Sequence, residues 1–153
     1  MARDIYEDDS AGIREPVTNA VAAVLRAINH GYITNDEGII EIRVRDGGSG
    51  TRLKIRDNGI GMSMKTIKKI ISVIGVSESR DLGDLPGQFV MGFLAVFRLV
   101  GVSEGGFEMS TNPRYTDEDP ITGIWKSGGF TRDCENLLTD GLSEDEYGTE
   151  FNF

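Results

Sequence analysis

The chain is poor in the residues that carry cross-links and metal chemistry. It holds one cysteine, Cys134, and one histidine, His30, among 153 residues. A single cysteine excludes an internal disulfide, and no Cys/His zinc spacing can be written. One histidine also excludes any mechanism built on several. No apolar run reaches the ~20 residues of a membrane-spanning helix. The first ten residues, MARDIYEDDS, are acidic and lack the apolar segment of a secretory signal. Positive charge is scarce: 16 Lys and Arg stand against 25 Asp and Glu, for a net charge of -9. Such a surface repels backbone phosphates, which argues against nucleic-acid binding by this domain. The pattern G-x-x-x-x-G-K-[ST] is absent, which excludes a P-loop. A reducing, cytoplasmic setting and no membrane association are the expectations that follow.

Apolar content of 39% and charged content of 27% are those of a globular protein. The length suits one domain, 1–153. Residues 1–12 read as a polar arm. From Pro16 to Asn29 the residues Val17, Ala20, Val21, Val24, Leu25 and Ile28 recur at three- and four-residue steps, a helical stripe. Proline favours the first helical turn, so Glu15 is expected at the helix start, with Gly31 ending the element. The runs IIEIRVR and TRLKIR alternate apolar and charged residues around DGGSG, a β-hairpin signal. A second helix follows, SMKTIKKIISVIG, with Ser63 as N-cap and Ile67, Ile70, Ile71 and Ile74 on one face. Residues 75–90 are polar and glycine-rich, as expected of a lid. MGFLAVFRLV then reads as a buried helix, and FEMST, GIWKS and GTEFNF as short strands. The expected fold is α+β: a two-layer sandwich with a mixed, mostly antiparallel sheet and helices on one face.

Four places carry candidate chemistry. Glu15 and Asn19 lie four apart, on one helix face. At a helix entrance the dipole favours an anion such as Glu15, which can polarise a water. An amide oxygen such as that of Asn19 can ligate a hard cation. In DNGIGM, Asp57 ends a strand and can accept a hydrogen bond from an exocyclic amine, while Gly59 and Gly61 let a flat ring approach the backbone. GQFVMGF places glycines at a helix entrance, where free N–H groups favour phosphate. In GTEF, Thr149 offers a hydroxyl. Each has a plain structural alternative: an exposed polar pair, a strand-to-helix turn, a close-packed helix start and an ordinary strand threonine.

Taken in order, E-x-x-x-N, D-N-G-I-G-M, G-Q-F-x-x-G-F and a late G-T strand resemble the GHKL superfamily, whose members include gyrase-type topoisomerases, histidine kinases, MutL and the ninety-kilodalton heat-shock chaperone. The resemblance runs from about Arg14 to Phe153 and is nearest to the heat-shock chaperone branch. It implies the Bergerat ATP-binding fold, with binding and slow magnesium-dependent hydrolysis of ATP to ADP. Glu15 would be the general base and Asn19 the magnesium ligand. Asp57 would accept from the adenine amine, with Gly61 and Thr149 assisting through a water, and Met62 would line the base pocket. Gly87, Gln88, Phe89, Val90, Met91, Gly92 and Phe93 would present N–H groups to the phosphates. The lid would close over the nucleotide and promote a homodimer. The resemblance further implies a longer protein, with a downstream domain or client of unstated identity, or a minimal member. A non-catalytic, ATP-gated dimerisation module is the alternative. Two positions depart from the family pattern: Ala22, where aspartate is frequent, and Val90, where the phosphate loop carries glycine.

Overall fold

A computed structural model describes residues 2–48, 50–76, 106–126, 129–135, 137 and 139–153. Helix α1 spans Ala2–Asn29, a short 3-10 turn Asn35–Glu37, strand β1 Ile40–Gly47 and β2 Gly50–Asp57. Helix α2 covers Met64–Val76, followed by β3 Phe107–Asn112, β4 Ile121–Lys126, β5 Gly129–Arg132 and β6 Gly148–Asn152. The strands form one sheet in the order β1-β2-β6-β3-β4-β5, and every described pairing is antiparallel. With α1 and α2 packed against it, this is the α+β two-layer arrangement.

The hairpin forms where the alternation placed it. Ile40 pairs with Asp57 and Gly47 with Gly50, so the turn falls inside DGGSG. α2 starts as its cap residue predicts: the Thr66 N–H donates to Ser63 Oγ at 3.2 Å. The β3–β4 connection completes that helix end, because Tyr115 Oη accepts from Ser63 N–H at 2.9 Å and Glu118 from Met64 N–H at 2.8 Å. Gly31 ends α1 at φ +76, with Tyr32 N–H bonded to the Ala27 carbonyl and Gly31 N–H to that of Ile28. That pairing is a Schellman cap.

Three expectations change. Residues 2–12 are helical: α1 runs from Ala2 straight through Pro16. The proline forfeits one helical hydrogen bond, and the helix continues around it, with Thr18 Oγ1 donating to the Arg14 carbonyl at 2.9 Å. Glu15 is therefore interior to the helix, and the N-terminal dipole does not act on it. Second, the buried stripe of α1 is Ala20, Val24 and Ala27, whereas Val21 and Leu25 are exposed. Third, α2 extends to Val76, so residues 75 and 76 are helical rather than lid. The rest of the lid, the phosphate loop and the expected helix at 91–100 lie outside the described residues.

The core lies between the sheet and α2. Ile67 and Ile70 pack with Phe107, Met109, Ile121, Trp125 and Phe151. Pairing registers align the sheet into transverse rows on this inner face: Ile55, Phe151, Met109 and Gly123 in one, and Asp57, Thr149, Thr111 and Ile121 in the next. The outer face is polar and crossed by the segment around Thr139–Leu142. Leu142 N–H donates to Ser110 Oγ at 2.8 Å, and Thr139 Oγ1 to Glu150 at 2.7 Å. Burial of Glu150 opposes ionisation, but its bonds from Thr139, Lys54 and Asn152 outweigh it and hold the carboxyl below the ordinary range.

Candidate functional site

A cavity of about 540 Å³ opens between α1, the β2–α2 turn and the inner face of the sheet. Its size is that of a small-molecule site. One wall is a helical stripe of α1: Asn19, Ala22, Ala23 and Arg26, with His30 just past the helix end. The base is apolar, from Ala20, Ile60, Met62 and Phe151. The polar groups at its sheet side are Asp57 and Thr149, and Thr66 and Tyr115 stand at the α2 side.

Asp57 is the most perturbed group of the cavity. It is 3% exposed, and burial pushes its carboxyl up to about 7. Backbone N–H groups of Gly59 and Thr149 oppose the shift, as do the charges of Arg114 and Arg56. The Gly59 N–H bond to Oδ1 is 2.8 Å long. A buried carboxyl shifted in this way at a cavity wall is a candidate functional group. When ionised it is an acceptor aimed at a buried space, suited to a ligand N–H.

The turn that carries Asp57 is held from four sides. Asn58 accepts from Ile39 N–H at 2.8 Å and donates to the Glu37 carbonyl at 2.7 Å. It locks the entry of β1 to the exit of β2. Gly59 does not face the cavity: a Cβ there would lie 2.4 Å from the Ala23 backbone, so the glycine admits the α1 backbone rather than a ligand ring. Gly61 does line the cavity, at φ +71, and a Cβ on it would meet the Asn112 carbonyl oxygen at 2.3 Å. Arg114 clasps the outside of the turn, donating from Nε to the Gly59 carbonyl at 3.0 Å and from a terminal nitrogen to the Asn58 carbonyl at 2.9 Å. Its guanidinium also lies over the Tyr147 ring, 4.8 Å from the centroid.

Among the residues that the sequence singles out, Asn19, Asp57, Gly61, Met62 and Thr149 converge on the cavity. Glu15 sits one turn before Asn19 on α1, about 6 Å of helix rise away, partly buried and outside the cavity lining. Gly87, Gln88, Phe89, Val90, Met91, Gly92 and Phe93 lie outside the described residues. Sequence reasoning missed Thr111, Arg114 and Tyr115. A strand threonine and two residues of a polar loop carry no local signal, because each acts on a partner far away in the chain. Among the described residues no group of three His, Cys, Asp or Glu side chains comes together. A magnesium ion here would depend on the Asn19 amide oxygen, ligand phosphates and water. That set fits the ion's habit of keeping several waters.

No family profile matches the chain. It is similar to the chaperone protein HtpG of Escherichia coli K12, at 26% identity over 167 aligned positions. The HtpG proteins of Escherichia coli O157:H7 and Citrobacter koseri match over the same length at 26% and 25% identity. In each case the alignment covers 98% of this chain and 25% of the relative. The chain thus spans about a quarter of the length of the curated relatives it matches. Among the described residues no helix is long and apolar enough to cross a membrane.

Proposed function

We propose that this chain is an adenine-nucleotide-binding domain of the GHKL type, similar to part of a chaperone such as HtpG, that binds ATP with magnesium and hydrolyses it slowly. The observation that carries the reading is the convergence of Asn19, Asp57, Gly61, Met62 and Thr149 on one apolar cavity. Such a cavity excludes water from a flat base, and its two buried polar side chains on the sheet side set the base's orientation. Asp57 accepts a hydrogen bond from the exocyclic amine of adenine, and Thr149 joins it directly or through a water. Ile60, Met62 and Phe151 enclose the ring.

The nucleotide's phosphates point toward the Asn19 end of the cavity. When bound, magnesium neutralises charge on the phosphate oxygens. Asn19 holds that end in place, and Glu15, one turn further, takes a proton from the attacking water. Residues 87–93 supply phosphate contacts and the lid closes over them. Nucleotide binding in this scheme promotes a homodimer. The single-domain organisation over 1–153, the coupling to a client or further domain, and the cytoplasmic setting belong to the same proposal.

A second reading is binding without turnover, an ATP-gated dimerisation module. It is favoured by the position of Glu15 outside the cavity lining. Calorimetry with magnesium and a non-hydrolysable ATP analogue tests both: no binding overturns the site. Phosphate release by wild type and Glu15→Ala separates them. A loss of release in the variant with binding retained supports hydrolysis, and equal release leaves the binding module alone.

A further inference from the structure

Thr111 has no exposed surface, lies one strand away from the cavity, and is absent from its lining. Its hydroxyl nonetheless touches three groups. It accepts from Met62 N–H at 2.9 Å, donates to the Gly148 carbonyl at 3.0 Å, and meets Thr149 Oγ1 at 2.9 Å. A hydroxyl has one proton to give and two lone pairs to offer. The Gly148 carbonyl cannot donate, so it takes the Thr111 proton. The Met62 N–H cannot accept, so it takes one lone pair. The remaining lone pair faces Thr149, which must then be the donor of the hydroxyl–hydroxyl bond. Every hydrogen-bonding position of Thr111 is filled in this arrangement, and the single proton of Thr149 is directed into the sheet.

We propose that Thr111 is a positioning residue: by fixing the Thr149 proton away from the cavity, it makes Thr149 meet a ligand only as an acceptor. Asp57, its cross-strand neighbour, is also an acceptor when ionised. The polar corner of the cavity therefore accepts and does not donate. This selects a purine with an amino group at position 6, which has two N–H donors, over a purine with an oxo group there. An oxo oxygen would face lone pairs and leave buried acceptors unmatched, the kind of mismatch that gives strong discrimination. The inference rests on the adenine-nucleotide reading of the cavity and adds to it the residue that sets its polarity.

Two measurements decide it. The first needs no nucleotide: in wild-type protein, the slowly exchanging hydroxyl proton of Thr149 should show nuclear Overhauser contacts to the Thr111 side chain. Contacts to the Met62 side chain in the cavity instead overturn the assignment. The second is the ratio of affinities for non-hydrolysable ATP and ITP analogues in wild type, Thr111→Val and Thr111→Ser. Wild type and the serine variant should prefer the adenine form by at least about tenfold, in the range of a mismatched buried hydrogen bond. In the valine variant the Thr149 hydroxyl is free to turn, and the preference should shrink several-fold. A valine variant that is less stable but keeps the wild-type ratio overturns the proposal and assigns Thr111 a structural role only. If wild type binds neither analogue, the nucleotide reading fails, whereas the proton direction is still decided by the first measurement.

Discussion

Asp57, the last residue of β2, sits directly across from Thr149, the second residue of β6, and both side chains are more than nine-tenths buried at the sheet side of one cavity. The backbone N–H of Thr149 also donates to the Asp57 carboxyl. Sheet pairing thus does two things at once: it orients the carboxylate, and it places a second polar group beside it.

The first prediction concerns nucleotide affinity and pH. In the proposed site an adenine amine is held more strongly by the ionised Asp57 than by its protonated form, and that carboxyl titrates at about 7. Affinity for a non-hydrolysable ATP analogue should rise between pH 6 and pH 8 and level off above. Asp57→Asn should bind at least tenfold more weakly, with the Asp57 part of the pH dependence gone. Calorimetric titrations at three pH values check it, and a wild-type affinity that is constant across this range counts against Asp57 as the acceptor.

Stability should move in the opposite sense. The folded-state value of Asp57 is raised above the ordinary 3.8, so the folded protein binds this proton more tightly than the unfolded chain. The group costs nothing below pH ~4. Its cost grows as pH rises to about 7 and is constant beyond, with each unit of displacement worth ~1.4 kcal/mol. Urea unfolding of wild type and Asp57→Asn from pH 4.5 to pH 8 should show the variant gaining relative stability as pH increases. A difference independent of pH would contradict the burial of an ionisable group here.

Substitution of the two turn glycines tests packing at Gly59, and packing together with backbone conformation at Gly61. Gly59→Ala drives a Cβ into the α1 backbone at Ala23. Rigid overpacking of this kind should cost about 3 kcal/mol or more. Gly61→Ala adds strain in a left-handed conformation, about 1–2 kcal/mol, to a collision with the Asn112 carbonyl. Both variants should melt lower than wild type, by roughly 10 °C for a loss of that size. A Gly59→Ala protein with wild-type melting would show that α1 does not pack on the turn.

Arg114 makes a further test, because it touches the turn from outside the cavity. Arg114→Ala removes two charge-assisted bonds to the Gly59 and Asn58 carbonyls. The expected loss is about 2–3 kcal/mol. It also removes a positive charge that lowers the Asp57 value, so the affinity–pH profile should shift to higher pH. Arg114→Lys retains the charge but not the fork, and should keep the profile while losing part of the stability. The two variants behaving alike in both assays would rule out separate roles for charge and geometry.

Much of this could be read from residue order because it depends on neighbours in the chain. The hairpin at Ile40–Asp57 follows from alternation, the start of α2 from Ser63, and the end of α1 from Gly31. The position of Asp57 at a strand end, before two glycines, was legible in the same way. β5 went unrecognised because four residues leave little periodicity. The outer-face segment at Thr139–Leu142 reads as polar loop, and its bonds to Ser110 and Glu150 cross between elements. The passage of α1 through Pro16 ran against the local preference of proline for a helix start.

By itself the sequence determined most of the local elements and the identity of several groups that line the cavity: Asn19, Asp57, Met62 and Thr149. Only the tertiary structure decided what state those groups are in. Burial between α1 and the sheet raises Asp57, the Arg114 clasp and the α1 backbone shape its turn, and Thr111 places its hydroxyl against that of Thr149. The reason is that solvation and hydrogen-bond direction are properties of what surrounds a side chain, and here those surroundings come from segments distant in the chain.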